Sequence, residues 1–360
     1  MKKNVLLLLA ILPFAASGQY YYGFLQETFF QRQPSARAEA LGKGYSAMDG
    51  DLASVFFNPA GIAGIRGIEV NGSFATPYYS LENAQYHFIS AGVKLHDYLV
   101  VALSRNSFNY GEPITFTDLN GTELYTYVPR NLNYTLTLAS QPIKNLFLGL
   151  NTNYLVLNPA DQEVGVVFLD FGAIKKFEWL QKNGARHSVN LGASLTNLNY
   201  SEIDFGENSF IPPAGLPVIT RYGLNYQLTS GRQGLVKKLK SFSFLWQGEY
   251  KMLLNSDFHA GFHTGAEFRL MEVLALRLGY YSEKLEDYGF PDMNKNRLRA
   301  FTYGFGLQLP IGKLTRIPLH VAFDYASMPQ EDFTHLMREL ENFNVYTLRL
   351  IWAFQDQKEP

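Results

Sequence analysis

From residue 67 onward the chain alternates apolar and polar residues with a period of two, the pattern of strands that face two different surroundings. The last such segment is "VYTLRLIWAF". Tyr346, Leu348, Leu350, Trp352 and Phe354 fall on one face, and Thr347, Arg349, Ile351 and Ala353 on the other. "AFTYGFGLQL" and "NLNYTLTL" repeat it, the second setting Leu132, Tyr134, Leu136 and Leu138 against Asn131, Asn133, Thr135 and Thr137. Segmented this way, the sequence predicts 14 strands, beginning near residues 67, 84, 98, 131, 145, 163, 186, 216, 241, 257, 273, 297, 317 and 343. Most run for about 10 to 14 residues. Globular strands average ~5–6, whereas a tilted transmembrane strand needs ~9–11.

The connections point the same way. Bacterial outer-membrane barrels have an even strand count, short periplasmic turns and longer external loops. Long connections, at roughly 108–130, 199–215, 283–296 and 328–342, all follow odd strands, and tight ones near His96-Asp97, Pro142–Asn145 and Met271-Glu272 all follow even strands. "TSGRQGLVKKLKS" is long on the wrong side and marks either a periplasmic feature or a miscounted strand. The expected fold is an all-β, 14-stranded antiparallel transmembrane β-barrel with both termini periplasmic. A large soluble β protein is the alternative. Tyr78, Tyr79, Tyr98, Tyr250, Tyr280, Tyr281 and Tyr325 lie near strand ends, where an interfacial girdle is expected.

The segment before the first strand has a different character. Lys2, Lys3 and the apolar run "VLLLLAILPFAA" predict a signal peptide over residues 1–18. Residues 19–66 then read as a plug, because a barrel this wide is not filled by its own wall residues. Ser35 caps a first helix, Asp51 starts a second around "LASVFF", and Asn58-Pro59 opens a third turn closed by Gly61 or Gly64. A helical cap outside the barrel is the competing reading. The barrel spans 67–354 and a polar tail 355–360. Removing the signal peptide leaves 29 Lys+Arg against 32 Asp+Glu, with no basic run for nucleic acid. The absence of cysteine excludes a disulfide scaffold, a thiolate metal site and a lipidated cysteine.

"ARAEALGKGYSAMDGDLASVFFNPAGIAG" resembles the N-terminal signature of the FadL-like outer-membrane proteins, especially the PorV/PorQ branch of the Bacteroidota. "FLDFGAIKKF", "LGASLTNLN" and "LPVITRYGLNYQL" resemble that branch as well. The chain departs from the signature at Gly50-Asp51, where an acidic pair is usual, and at Lys43, where a small residue is usual. The resemblance implies a 14-stranded barrel with its N-terminal segment inside, and a non-catalytic partner role in envelope protein export related to type IX secretion.

Candidate chemistry is sparse. His259 and His263 share a strand face but stand ~13 Å apart, too far for one metal ion. No Gly-x-Ser-x-Gly elbow occurs and no nucleophile–base pair can be named. No cofactor or metal is expected. The inner wall is predicted to carry Lys94, Asp170, Arg221, Glu249, Lys251, His259, His263, Glu267, Arg269, Arg277, Asp324 and Arg349, a mixture of signs suited to holding a plug. Arg37 is a natural partner for an inner acid, and Arg37, Asp51, Asn58, Pro59, Ala60 and Gly61 are the candidate gate. Phe333, Leu336, Met337 and Leu340, with Phe343, could form an amphipathic loop contact. Two functions follow: a partner subunit binding other envelope proteins, or a channel in which a hydrophobic molecule displaces the plug. The second requires an apolar pocket, which a wall rich in Asn, Ser, Thr, Gly and charge is not expected to offer. Outer-membrane lipids are expected partners in either case.

Overall fold

In the computed structural model, the described residues are 35–76, 83–96, 98–109, 111, 113–117, 122–127, 130–158, 163–181, 184–204, 214–230, 242–254, 260–284, 297–311, 317–329 and 342–353. Residues 1–18, predicted as a signal peptide, residues 19–34 of the predicted plug, Tyr78, Tyr79, His259, the predicted contact residues Phe333, Leu336, Met337 and Leu340, and Phe354 lie outside them. Fourteen strands close one antiparallel barrel: β1 Gly67–Thr76, β2 Gln85–His96, β3 Leu99–Asn109, β4 Arg130–Ile143, β5 Leu146–Asn158, β6 Val164–Leu180, β7 Arg186–Thr196, β8 Ile219–Thr229, β9 Phe242–Leu253, β10 Ala260–Leu270, β11 Leu274–Lys284, β12 Arg297–Pro310, β13 Leu319–Met328 and β14 Phe343–Ala353. Each strand pairs with its sequence neighbours, and β14 closes on β1 with Gly67 opposite Ala353 and Thr76 opposite Asn344.

The strand starts agree with the alternation to within three residues, because each strand separates an apolar exterior from a polar interior and the pattern is local. Connections segregate by end. The long ones, 110–129, 197–218, 285–296 and 329–342, share one end with the shorter 77–84, 159–163 and 254–259. The other end carries tight turns such as 271–273, where Met271 and Glu272 adopt φ of 53° and 60°, the left-handed pair that matches hairpin twist. The connection 230–241 is long at this short-turn end without changing the strand count. Two small hairpins in the long loops, 114–117 with 123–127 and 202–203 with 214–215, go beyond the predicted strands.

The outer face is apolar on every strand. Examples are Val70, Leu103, Leu150, Tyr222, Phe268, Leu278, Phe305, Phe323 and Leu348, all exposed. A continuous apolar belt of this extent has no counterpart on a soluble monomer, and it is the surface that a barrel presents to lipid. Among the described residues no helix is long and apolar enough to cross a membrane. The chain crosses with strands, whose backbone groups are satisfied by barrel closure.

Candidate functional site

Residues 35–66 fill the lumen from wall to wall. Helix α1, Ala36–Ala40, packs against β11–β14. A 3₁₀ turn, Leu52–Phe56, meets β1 and β2, and a second, Pro59–Gly64, lies against β3–β6. The caps are those the sequence predicts: the side chains of Ser35, Asp51 and Asn58 accept from the amides of Ala38, Ala53 and Ala60. The second short helix, capped by Asp51, is a 3₁₀ turn, since the Asn58-Pro59 junction follows Phe56 too closely for an α-turn. A plug packed this tightly needs wall positions without side chains. Inward-facing Gly149, Gly172, Gly192 and Gly279 provide them, and a Cβ there would collide with Pro59, Asn58, Ser46 and Gly42 respectively.

The wall answers the plug with charge. Arg37 makes a two-pronged contact with Glu267, Nε–Oε2 at 2.9 Å and Nη2–Oε1 at 3.1 Å. Glu267 also accepts from Arg277 Nε at 2.6 Å, Arg277 Nη1 meets Asp324 at 2.7 Å, and Asp324 meets Arg349 Nη2 at 3.0 Å. Arg349 Nη1 then reaches Asp51 at 3.2 Å, and Asp51 lies 3.4 Å from Arg37. The six groups form a closed circuit of alternating sign, two from the plug and four from the wall, and no side chain in it is more than 13 % exposed. Arg269 joins at Glu267, 3.0 Å away. Burial alone would raise the Asp51 carboxyl, but Arg349, Arg37, the Tyr45 hydroxyl and the Ala53 amide outweigh it and hold the group at about 2, against an ordinary 3.8. Burial pushes the Tyr45 phenol well above its usual 10, so it stays protonated and donates to Asp51 at 2.7 Å.

Three further anchors hold the rest of the plug. Glu249 accepts the backbone amides of Tyr45 and Ser46, both at 2.8 Å, and faces Arg221 at 3.5 Å. Glu283 gathers Lys43, Lys251 at 2.6 Å and His263 Nε2 at 3.3 Å, while His263 Nδ1 lies 2.8 Å from the Gly42 carbonyl. Asn58 donates to the carbonyls of Ser46, Ala173 and Ala193, tying the third turn to β6 and β7. Asp170 accepts from Asn151, Asn153 and the Asn197 amide beside a cavity of about 30 Å³, room for about one water.

Nearer the long-loop end the lining changes. Tyr86, Phe108, Leu155, Leu157, Phe168, Ile219, Leu253, Tyr281, Met328, Phe343 and Val345 all point inward from the long-loop ends of their strands, and Ile203 and Leu216 join them from a loop. All are buried. Among the described residues the plug meets this collar through Ala36 and Ala40 and through Lys43, whose ammonium lies 4.5 Å from the centre of the Tyr281 ring. The expectation that an inner wall rich in polar residues offers no apolar lining is therefore corrected: the interior is polar around the plug and apolar beyond it. Phe343, read as a loop contact, is a wall residue of this collar.

Of the predicted residues, Arg37, Asp51, Glu267, Arg269, Arg277, Asp324 and Arg349 meet in one network. Arg221 with Glu249, His263 with Lys251, and Asp170 stand in separate ones, and Lys94 sits at the short-turn end of β2. Pro59, Ala60 and Gly61 form the turn against β4–β6. Lys43, Tyr45 and Glu283 were missed, although Lys43 is the one charge in an otherwise small-residue stretch.

No family model and no curated protein matches the sequence. Solved structures of similar outline include a Pseudomonas aeruginosa FadL homologue at 10 % identity, covering 90 % of this chain and 99 % of that one with a TM-score of 0.42. The Ralstonia pickettii toluene transporter TbuX has 10 % identity, 91 % and 99 % coverage and a TM-score of 0.46. The Pseudomonas putida toluene transporter TodX has 12 % identity, 88 % and 97 % coverage and a TM-score of 0.46. The likeness is one of overall barrel form, and no residue correspondence follows from it.

Proposed function

We propose that the chain is an outer-membrane channel for small hydrophobic molecules, without catalytic function, in which residues 19–66 are the plug and the apolar collar receives the ligand. The collar is the observation that carries this reading. A barrel built only to hold a plug or bind partners at its rim has no need to turn its inner wall apolar on one strand after another, and an apolar lining with a few polar groups suits a hydrophobic ligand. The partner-subunit reading rests on the resemblance to the PorV/PorQ branch, and the polar wall that weighed against a channel gives way to an apolar lining at the collar. Passage requires the plug to shift, and the charge circuit defines its closed position.

The test is equilibrium binding of an alkylbenzene series to the purified barrel. Binding should strengthen with alkyl length, by about 0.8 kcal/mol for each buried methylene. Phe168→Asn with Leu155→Asn should weaken it by at least tenfold while the barrel still migrates as a heat-modifiable species. A barrel that binds none of the series but purifies with a stoichiometric protein would overturn the reading.

A further inference from the structure

The outer wall of β1–β5 is not smooth. It carries a groove of about 550 Å³ lined by Val70, Ile89, Ala91, Leu103, Leu136 and Tyr154. The barrel register explains the hollow. One cross-strand row runs Val70, Ala91, Leu103, Leu136, and the next, nearer the long-loop end, runs Gly72, Ile89, Arg105, Tyr134, Tyr154. Ala91 and Gly72 leave the space: a Cβ on Gly72 would meet nothing within 4 Å.

Arg105 ends the hollow with charge. Its side chain faces outward and is exposed, and among the described residues no carboxylate lies within ion-pair distance of it. The inner-wall arginines Arg277 and Arg349, by contrast, each face two acids. A cation on the lipid face costs about 2–4 kcal/mol at the bilayer midplane and about 0–1 kcal/mol near the interface. Tyr134, directly opposite Arg105, and Tyr154 next to it in the row give the charge aromatic neighbours on one side.

We propose that this groove binds a membrane lipid with an anionic phosphate headgroup, one acyl chain lying along Val70, Ala91 and Leu136 and the phosphate on Arg105. The planar guanidinium fork matches two phosphate oxygens, and a net-negative lipid leaves that cation with no competing ammonium. The proposal rests on the barrel spanning a membrane and is independent of what passes through the lumen.

Native mass spectrometry of the full barrel in mixed micelles, with phosphatidylglycerol and phosphatidylcholine at equal mole fraction, tests it. One basic residue near an anionic surface is worth about 1 kcal/mol, a factor of about five, so wild type should retain phosphatidylglycerol about fivefold over phosphatidylcholine. Arg105→Gln should remove that preference, Arg105→Lys should keep most of it, and Ala91→Trp should lower retention of both lipids by filling the groove. Heat-modifiable migration confirms that each variant is folded. Equal retention by wild type, a preference that survives Arg105→Gln, or a wild-type dimer that Ala91→Trp dissolves would each overturn the proposal. Failure of the membrane reading shows itself differently, as a chain that does not insert into vesicles of either lipid.

Discussion

The two halves of the lumen solve opposite problems. Around the plug many inward polar side chains bond residues 35–66, among them Asn151, Asn190, Ser194, Gln247, Glu249, Glu267 and Arg349, and the wall drops to glycine where the plug backbone comes closest. Such contacts are directional, so they hold one segment in one register. Beyond the plug the collar of Tyr86, Phe108, Leu155, Phe168 and Phe343 is chiefly apolar surface. Apolar burial is non-directional and scales with area. One barrel thus holds its own chain with charge at one level and lines the opposite end with apolar side chains.

Breaking the charge circuit should give the largest effect. Glu267 is the group on which Arg37, Arg269 and Arg277 converge, so Glu267→Ala leaves three guanidinium groups competing for the remaining acids. Removing one partner of a buried pair costs about 3–5 kcal/mol. The expected outcome is a drop of that size in unfolding free energy and a rise in ion conductance of the reconstituted barrel, as the plug leaves its closed position. Unchanged conductance would mean that the circuit stabilises the wall alone.

Much of this was legible in sequence, for reasons that separate the same two regions. Strand positions follow from a local period of two, and the Ser35, Asp51 and Asn58 caps from residues two or three apart. The partner of Arg37 was not legible, because Asp170, Glu249, Glu267 and Asp324 all face inward and only barrel closure and the direction of α1 select Glu267. The collar was hidden for another reason. Most strands give it only one or two residues, at the end where alternation fades into a loop, and neither Tyr86 nor Met328 stands out in its own segment. The hairpin at 114–127 did leave a signal, Asn120-Gly121 between alternating residues.

Acid should loosen the plug by a smaller step. The folded-state value of Asp51 is depressed, so its contribution is fully present above the ordinary 3.8 and is lost as pH falls toward about 2. Conductance should therefore rise through that interval. Asp51→Asn should already be leaky at neutral pH and should change less on acidification than wild type. An equal acid response in both would assign the transition to other carboxylates.

The smallest effect should come from Lys43, although it too is a buried plug cation facing a wall acid. Its Nζ lies 3.5 Å from Glu283, whereas Lys251 holds the same Oε1 at 2.6 Å and His263 stands at 3.3 Å. Lys43→Met therefore leaves Glu283 partnered, and the methionine side chain keeps the contact with the Tyr281 ring, over which the ammonium sits at 4.5 Å. Replacing a buried charge by an apolar group of similar volume is often neutral or stabilising. The expected change in unfolding free energy is within about 1 kcal/mol, with conductance as in wild type. Lys251→Met removes the shorter contact and should cost more. If the order of the two is reversed, Lys43 holds the plug through more than its pair with Glu283, and the contrast between a redundantly partnered anchor and the Glu267 hub no longer stands.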